Sequence, residues 1–166
     1  MCLVVVALEA TERYSVLVCA NRDERHARPS TAAAWWPKLP RVLGGRDLVA
    51  GGSWLAVDRG GRLAAVTNFR EDHAAAARRS RGELVVDFLA GADSPDTYAA
   101  TLHARAHEYG PFSLLLLDGA DLLYVSNRGP GAHLGPGVHA LSNATFGVEW
   151  PKVQTARAGM QALLDS

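Results

Sequence analysis

The second residue of the chain is a cysteine at the start of an apolar run. Removal of the initiator methionine would leave a thiol and a free α-amine on this one residue, Cys2. A thiolate is a nucleophile, and an α-amine with a pKa of about 7.7–8.0 can act as its base near neutral pH. The alternative interpretation is a small core residue, because free cysteines are commonly buried and inert.

A predicted hairpin would bring charged residues to this thiol. Two apolar runs, residues 1–8 and 14–20, flank a short polar segment, and this pattern predicts two antiparallel strands. With the turn midway between the runs, Cys2 lies opposite Asn21 or Arg22. Facing residues of an antiparallel pair are about 4.5–5.5 Å apart. We therefore expect the polar cluster after the second run to lie beside the thiol.

This cluster has the chemistry that a reactive thiol needs. An arginine close to a thiol favours the thiolate, so Arg22 is a candidate catalytic residue. A carboxylate accepts hydrogen bonds from an α-amine, so Asp23 is a candidate for orienting it. Successive strand residues point to opposite faces, so both side chains reach one thiol only where the strand ends or bulges. The alternative is a charged strand end in solvent.

Other polar residues are candidates of lower specificity. Asn68 and Asn143 end apolar runs; a side-chain amide can donate to an oxyanion, although lone asparagines more often begin turns. Cys19 lies within the second apolar run, where we expect a buried, inert thiol. His103 and His107 have the spacing of a zinc pair without a third ligand, so we predict a solvated helix face, no metal and no cofactor. The other histidines are scattered: His26, His73, His133 and His139.

The periodicity of the chain predicts a single α+β domain over residues 1–166. Residues 22–45 read as a long irregular segment that contains Trp35 and Trp36. We expect short strands at 47–50, 54–58 and 62–68, helices at 80–91 and 94–109, an antiparallel pair at 112–117 and 122–126, a strand at 138–143 and a helix at 153–164. The first of these helices has an apolar stripe of Leu84, Val85, Phe88 and Leu89, and the second has Ser94 as its N-cap and Pro95 at its first position. These elements indicate stacked antiparallel sheets covered by helices.

Composition narrows the classes of function. The formal net charge is +0, so nothing indicates a nucleic-acid partner. Two cysteines make no disulfide framework, and the apolar run at residues 1–8 is too short for a signal or a membrane span. We therefore expect a cytoplasmic protein.

Several blocks of sequence together resemble one family. These are Met1-Cys2, Cys19-Ala20-Asn21-Arg22-Asp23-Glu24, Gly51-Gly52-Ser53-Trp54-Leu55, Ala65-Val66-Thr67-Asn68-Phe69, Ser80-Arg81-Gly82-Glu83-Leu84-Val85 and Leu141-Ser142-Asn143-Ala144. They span nearly the whole chain in one order, and the chain resembles the NRDE family, the family of the transport and Golgi organisation proteins. The N-terminal layout of that family is similar to that of N-terminal-nucleophile hydrolases with a cysteine nucleophile.

The resemblance implies a fold and a site. The fold would be an αββα sandwich of two stacked sheets between helices. The implied catalytic residues are Cys2, Arg22, Asp23, Asn68 and Asn143, and the implied substrate-binding residues are Asn21 and Trp54. Family members usually continue well past the Trp150-Pro151-Lys152 block, so we expect the family's C-terminal strands to be missing here. A sheet edge would then be exposed, and a homo-oligomer could cover it.

Three classes of function remain open from the sequence. The first is an N-terminal-nucleophile-like amidohydrolase that uses Cys2 on a small non-peptide amide. The second is a carrier of haem or another hydrophobic ligand, with an apolar groove near Trp35 and Trp36; the resemblance implies this class, since some family members have been linked to haem handling. The third is a sheet scaffold without chemistry. The partner would thus be a small-molecule amide or a haem-like ligand.

Overall fold

The computed structural model describes residues 2–69, 71 and 77–166. Met1, whose removal would expose the Cys2 amine, and His73 lie outside the described residues. The strands are β1 (Leu3–Leu8), β2 (Val16–Asn21), β3 (Ser30–Trp36), β4 (Leu39–Asp47), β5 (Leu55–Asp58), β6 (Leu63–Asn68), β7 (Phe112–Asp118), β8 (Asp121–Ser126), β9 (Ala132–Leu134) and β10 (Gly137–Leu141). The helices are α1 (Gly82–Ala90), α2 (Pro95–Arg105) and α3 (Pro151–Leu164), with a 3₁₀ turn at Ala106–Glu108.

The strands form two antiparallel sheets. A three-stranded sheet has the order β10-β1-β2, and a seven-stranded sheet runs in sequence order from β3 to β9. The predicted N-terminal hairpin is confirmed, with Leu3 paired to Asn21 and Leu8 paired to Val16. Continuing this register by one residue places Cys2 opposite Arg22. Because β1 is the central strand of its sheet, Cys2 lies at the end of a strand that is paired on both sides.

Alternation along β1 explains why the sheets stack. Val4 and Val6 face one way and pack against the seven-stranded sheet, where Leu115 is a contacting residue. Val5 faces the other way and packs against Met160 of α3. Adjacent strand residues point to opposite faces, so a strand that is apolar at every position needs a covering layer on each side.

Two further helices cover the outer face of the seven-stranded sheet. Leu84, Val85, Phe88 and Leu89 of α1 form the buried stripe that the sequence predicts. Helix α2 begins as expected, with the Ser94 side chain accepting a hydrogen bond from the Thr97 amide. The layers are therefore helix, sheet, sheet and helix, and the predicted αββα sandwich is confirmed.

Two predictions of local structure are wrong. The segment 22–45 is not irregular, because it contains β3 and most of β4, and residues 48–51 form a turn rather than a strand. Strand β3 lies at a sheet edge and is almost entirely exposed, so it lacks the apolar alternation that marks a strand. Pro40 lies where the β3–β4 register shifts, a position that requires no ladder amide.

The environment of the second cysteine also differs from the prediction. Cys19 is exposed rather than buried. It pairs with Val5 in register, but β2 is an edge strand whose last three residues are exposed. Helix α3 contacts β10 and β1 and leaves this end of β2 open.

Among the described residues, no helix is long and apolar enough to cross a membrane.

Candidate active site

A cleft of about 330 Å³ opens at the end of β1 that carries Cys2. Both sheets and the start of α1 bring side chains to it. Cys2 directly precedes β1, Arg22 and Asp23 follow β2, Asp47 ends β4, Trp54 precedes β5, Asn68 ends β6, and Arg81 directly precedes α1. The three-stranded sheet, the seven-stranded sheet and a helix of the outer layer therefore share one site.

The backbone of Cys2 is held by a chain of buried hydrogen bonds. The Ser142 hydroxyl donates to the Cys2 carbonyl at 2.7 Å, and Lys152 Nζ lies 3.4 Å from the same oxygen. The carbonyl of Ser142 in turn accepts a 2.8 Å hydrogen bond from Thr67 Oγ1 of β6. Cys2 is only 8% exposed. The arrangement fixes the thiol-bearing residue relative to both sheets.

The two candidate asparagines have different environments. Asn68 lines the cleft, and its side-chain amide makes no hydrogen bond with a described residue. Asn143 does not line the cleft, and its amide donates to the Asn68 carbonyl at 2.9 Å. The Asn68 amide can therefore donate to a ligand without losing a bond to the described part of the chain, whereas the Asn143 amide already holds the backbone of Asn68.

Arg22 and Asp23 both line the cleft, although they are adjacent in sequence. This is possible because β2 ends at Asn21, so the strand alternation no longer applies. The Asn21 side chain does not line the cleft and donates to Asp23 Oδ1 at 3.0 Å. Asn21 can thus act on the cleft only through Asp23.

An ion-pair network forms one wall of the cleft. Arg22 lies 2.8 Å from Glu24 and 3.9 Å from Asp47, and Arg28 lies 2.7 Å from Asp47. Hydrogen bonds from Arg22 and from the Arg25 amide lower the pKa of Glu24. Burial acts to raise the pKa of Asp47, but hydrogen bonds from Arg28 and from two backbone amides outweigh it and leave that pKa lowered. Both carboxylates are therefore charged at neutral pH, and the charge of Arg22 is largely shared with them.

Arg81 is not among the site residues predicted from the sequence. It lies immediately before α1, and its Nη1 donates to the Pro111 carbonyl at 3.1 Å. Burial lowers the pKa of the Arg81 guanidinium, while the negative charge of a Cys2 thiolate acts in the opposite direction. Arg81 is therefore a cation within electrostatic reach of the thiol. The family block at residues 80–85 contains it, and this was the one signal that could have selected it.

A close backbone contact positions the start of α1. Gly52 abuts Gly82, so that a Cβ at Gly52 would come within 2.4 Å of the Gly82 carbonyl carbon. The Ser53 amide also donates to the Gly82 carbonyl at 3.2 Å. Trp54, a predicted substrate-binding residue, follows directly and lines the cleft. Only glycine fits at position 52 without moving the helix that carries Arg81.

The histidines predicted to lie on a helix face, His103 and His107, are both exposed. Within the described part of the chain, a different group has ligand atoms close together, namely Asp96, Asp121 and His133. Each ring nitrogen of His133 already bonds a carboxylate, at 2.9 Å to Asp121 and 3.1 Å to Asp96. The hydrogen bond with Asp121 is the main reason that the pKa of His133 is raised. These three side chains form an exposed cluster of ion pairs that links α2, β8 and β9.

The fold and the site together define a class of protein. The chain is an αββα sandwich with a cysteine directly before the central strand of its three-stranded sheet. A family model described as Transport and Golgi organisation 2 matches residues 1–166. The chain belongs to this family.

Individual relatives agree with the family assignment. The Transport and Golgi organization protein 2 homologue of Bos taurus is 36% identical over 150 residues, which cover 84% of this chain and 54% of the relative. The Homo sapiens homologue is 35% identical over 150 residues, which again cover 84% of this chain and 54% of the relative. Transport and Golgi organization protein 2 of Drosophila melanogaster is 26% identical over 130 residues, covering 71% of this chain and 46% of the relative. The chain spans about half the length of the curated relatives that it matches.

Proposed function

We propose that the protein is an N-terminal-nucleophile-like amidohydrolase that uses Cys2 on a small non-peptide amide. The observation that carries this proposal is the cleft itself, which is lined both by Cys2, whose backbone is fixed, and by Asn68, whose side-chain amide bonds no described residue. A small, polar cleft also suits a small amide better than a large apolar ligand.

The reaction follows from the residues of the cleft. With Met1 removed, the Cys2 α-amine takes the thiol proton, and the thiolate attacks the amide carbonyl carbon. Asn68 donates to the oxyanion that forms, while Asp23 orients the α-ammonium. The ammonium then protonates the leaving nitrogen as the carbon–nitrogen bond breaks. Water hydrolyses the thioester, releasing the acid and restoring the thiol.

Two residues assist without taking part in bond making. Asn143 holds the Asn68 carbonyl and is thus a positioning residue in this proposal. Arg22 adds positive charge to the wall of the cleft, although Glu24 shares that charge at 2.8 Å. Asn143 thus orients the oxyanion donor Asn68, and Arg22 favours the thiolate form of Cys2.

Comparison of the two cysteines tests this proposal. The intact mass of the purified protein reports whether Met1 has been removed, and a panel of small amides reports activity. Cys2→Ala should abolish hydrolysis, whereas Cys19→Ala should leave it largely intact. Asn68→Ala should lower turnover by about 10²–10³. Full activity of Cys2→Ala, or an active preparation that retains Met1, would overturn the assignment of the nucleophile.

A carrier of haem or another hydrophobic ligand is the second candidate. One observation favours it, an apolar groove of about 380 Å³ between β2 and α3. Its lining includes Leu3, Cys19, Met160 and Leu163, and the Leu163 side chain is 64% exposed. The groove is not at Trp35 and Trp36, the place expected from the sequence: Trp36 is buried, and Arg59 lies over Trp35.

A haem titration followed by absorbance distinguishes the two candidates. A carrier that uses the groove should show saturable binding that Leu163→Glu weakens and that Cys2→Ala does not change. Absence of saturable binding by the unmodified protein would exclude this role for haem.

The assembly and the location of the protein stay predictions. Because β2 is a free sheet edge in the described structure, a second copy of the chain could pair with it. Sedimentation over a range of protein concentrations tests for this homo-oligomer. Microscopy of the tagged protein tests the cytoplasmic location.

A further inference from the structure

Four arginines of the described part of the chain line the Cys2 cleft, and three of them are paired with carboxylates. Arg22 pairs with Glu24 at 2.8 Å, and Arg28 pairs with Asp47 at 2.7 Å. Arg79 pairs with Glu83 at 2.8 Å and is also within reach of two further carboxylates. These three cations are balanced by neighbouring anions.

The fourth arginine, Arg81, differs from the others. The one hydrogen bond of its side chain to a described residue goes to the neutral carbonyl of Pro111, and it forms no ion pair with a described carboxylate. It is also sufficiently buried that desolvation lowers the pKa of the guanidinium. Burying a charge without a counter-ion is costly. An anion that enters the cleft would therefore gain an electrostatic partner that no described carboxylate neutralises.

We propose that Arg81 binds a carboxylate of the substrate, so that the protein acts on amides carrying a carboxylate group, such as N-acyl amino acids. This inference deepens the proposed function and depends on Cys2 being the nucleophile. The planar guanidinium matches a carboxylate with two parallel hydrogen bonds, which fixes orientation as well as supplying charge. Arg81 would hold the carboxylate while the amide carbonyl lies over the Cys2 sulfur and accepts from Asn68.

A different role for Arg81 predicts a different result. If Arg81 only stabilised the Cys2 thiolate, its removal would slow the reaction of the thiol with every electrophile. If Arg81 binds carboxylates, its removal would slow anionic electrophiles selectively. Iodoacetate and iodoacetamide separate the two roles, since both alkylate a thiolate with loss of iodide and differ mainly in the carboxylate.

The test measures alkylation of Cys2 by the two reagents at matched ionic strength, in a Cys19→Ser background, with the modified residue located by peptide mass. We expect the iodoacetate-to-iodoacetamide rate ratio to fall about tenfold or more in Arg81→Met, as for the loss of a charge-assisted hydrogen bond. Arg81→Lys should restore part of the ratio. Arg13→Met, which removes an exposed arginine on the hairpin turn, should not change it.

An equal loss of rate with both reagents would overturn the proposal and assign Arg81 to the thiolate alone, and an unchanged ratio would also overturn it. A measurement on unmodified Arg81 guards against misfolding of the variants: acetate should protect Cys2 from iodoacetamide at concentrations where acetamide does not. Equal protection by the two would again refute the inference. Alkylation needs no amide hydrolysis, so this test can succeed even if the amidohydrolase proposal fails.

Discussion

Replacement of Ser142 with alanine is expected to loosen the residue that carries the thiol. The Ser142 hydroxyl is buried and donates to the Cys2 carbonyl at 2.7 Å. The change removes this donor and adds no bulk, because alanine fits wherever serine does. The acceptor stays buried, and its remaining partner is Lys152 Nζ at the longer distance of 3.4 Å.

The magnitude follows from the loss of one partner of a buried hydrogen bond. Leaving a buried acceptor without its partner costs about 1–3 kcal/mol of stability. Since Lys152 can still reach the Cys2 carbonyl, we expect Ser142→Ala to lower the free energy of unfolding by about 1–2 kcal/mol. For a domain of this size, about 2–4 °C of Tm corresponds to each kcal/mol, which gives a loss of about 2–8 °C.

Urea unfolding and calorimetry measure this loss, and alkylation by iodoacetamide reports the position of the thiol. We expect Ser142→Ala to lower the free energy of unfolding and to change the alkylation rate of Cys2 relative to Cys19. Ser15→Ala, at an exposed serine, is the matched control. If Ser142→Ala and Ser15→Ala are equally stable and react equally at Cys2, the Ser142 hydroxyl does not hold Cys2, and the reasoning fails.

Two further substitutions test the walls of the cleft. Gly52→Ala should lower the free energy of unfolding in urea by more than about 2 kcal/mol, because its Cβ would overlap the Gly82 backbone. Gly159→Ala is the control, since a Cβ there meets open space and should not lower stability. Equal stability of the two variants would refute the close contact. The lowered pKa of Asp47 means that its charged form stabilises the folded protein above the ordinary pKa of 3.8, and that this contribution is lost as the pH falls through the lowered pKa. Asp47→Asn should remove this contribution. The stability of the variant should therefore fall less than that of the unmodified protein on acidification below about pH 4, and parallel pH curves would contradict this.

Local periodicity was sufficient to predict most of the fold. The alternating or continuous apolar runs predicted the N-terminal hairpin, and the helical stripe predicted α1. A serine followed by a proline predicted the start of α2, where the Ser94 cap is present. These features depend on residues within a few positions of one another, so the sequence alone contains the information.

Other features depended on which surfaces pack together. Strand β3 is an exposed edge without alternation, so only its pairing with β4 makes it a strand. Cys19 lies in an apolar run of the kind that is usually buried, yet α3 covers the neighbouring strands and leaves it exposed. Nothing near Cys19 in the sequence indicates where a helix that begins at residue 151 will lie.

The candidate site shows the same division. The sequence by itself determined that Cys2 would face the segment after β2, since a hairpin register is fixed by two adjacent runs. Only the tertiary structure brought Ser142 to the Cys2 carbonyl and the charge of Arg81, which pairs with no described carboxylate, to the thiol, across separations of about 140 and 80 residues. Contacts between such distant residues arise from the stacking of the two sheets and the docking of α1, and the free energy of those packed layers decides them rather than any local pattern.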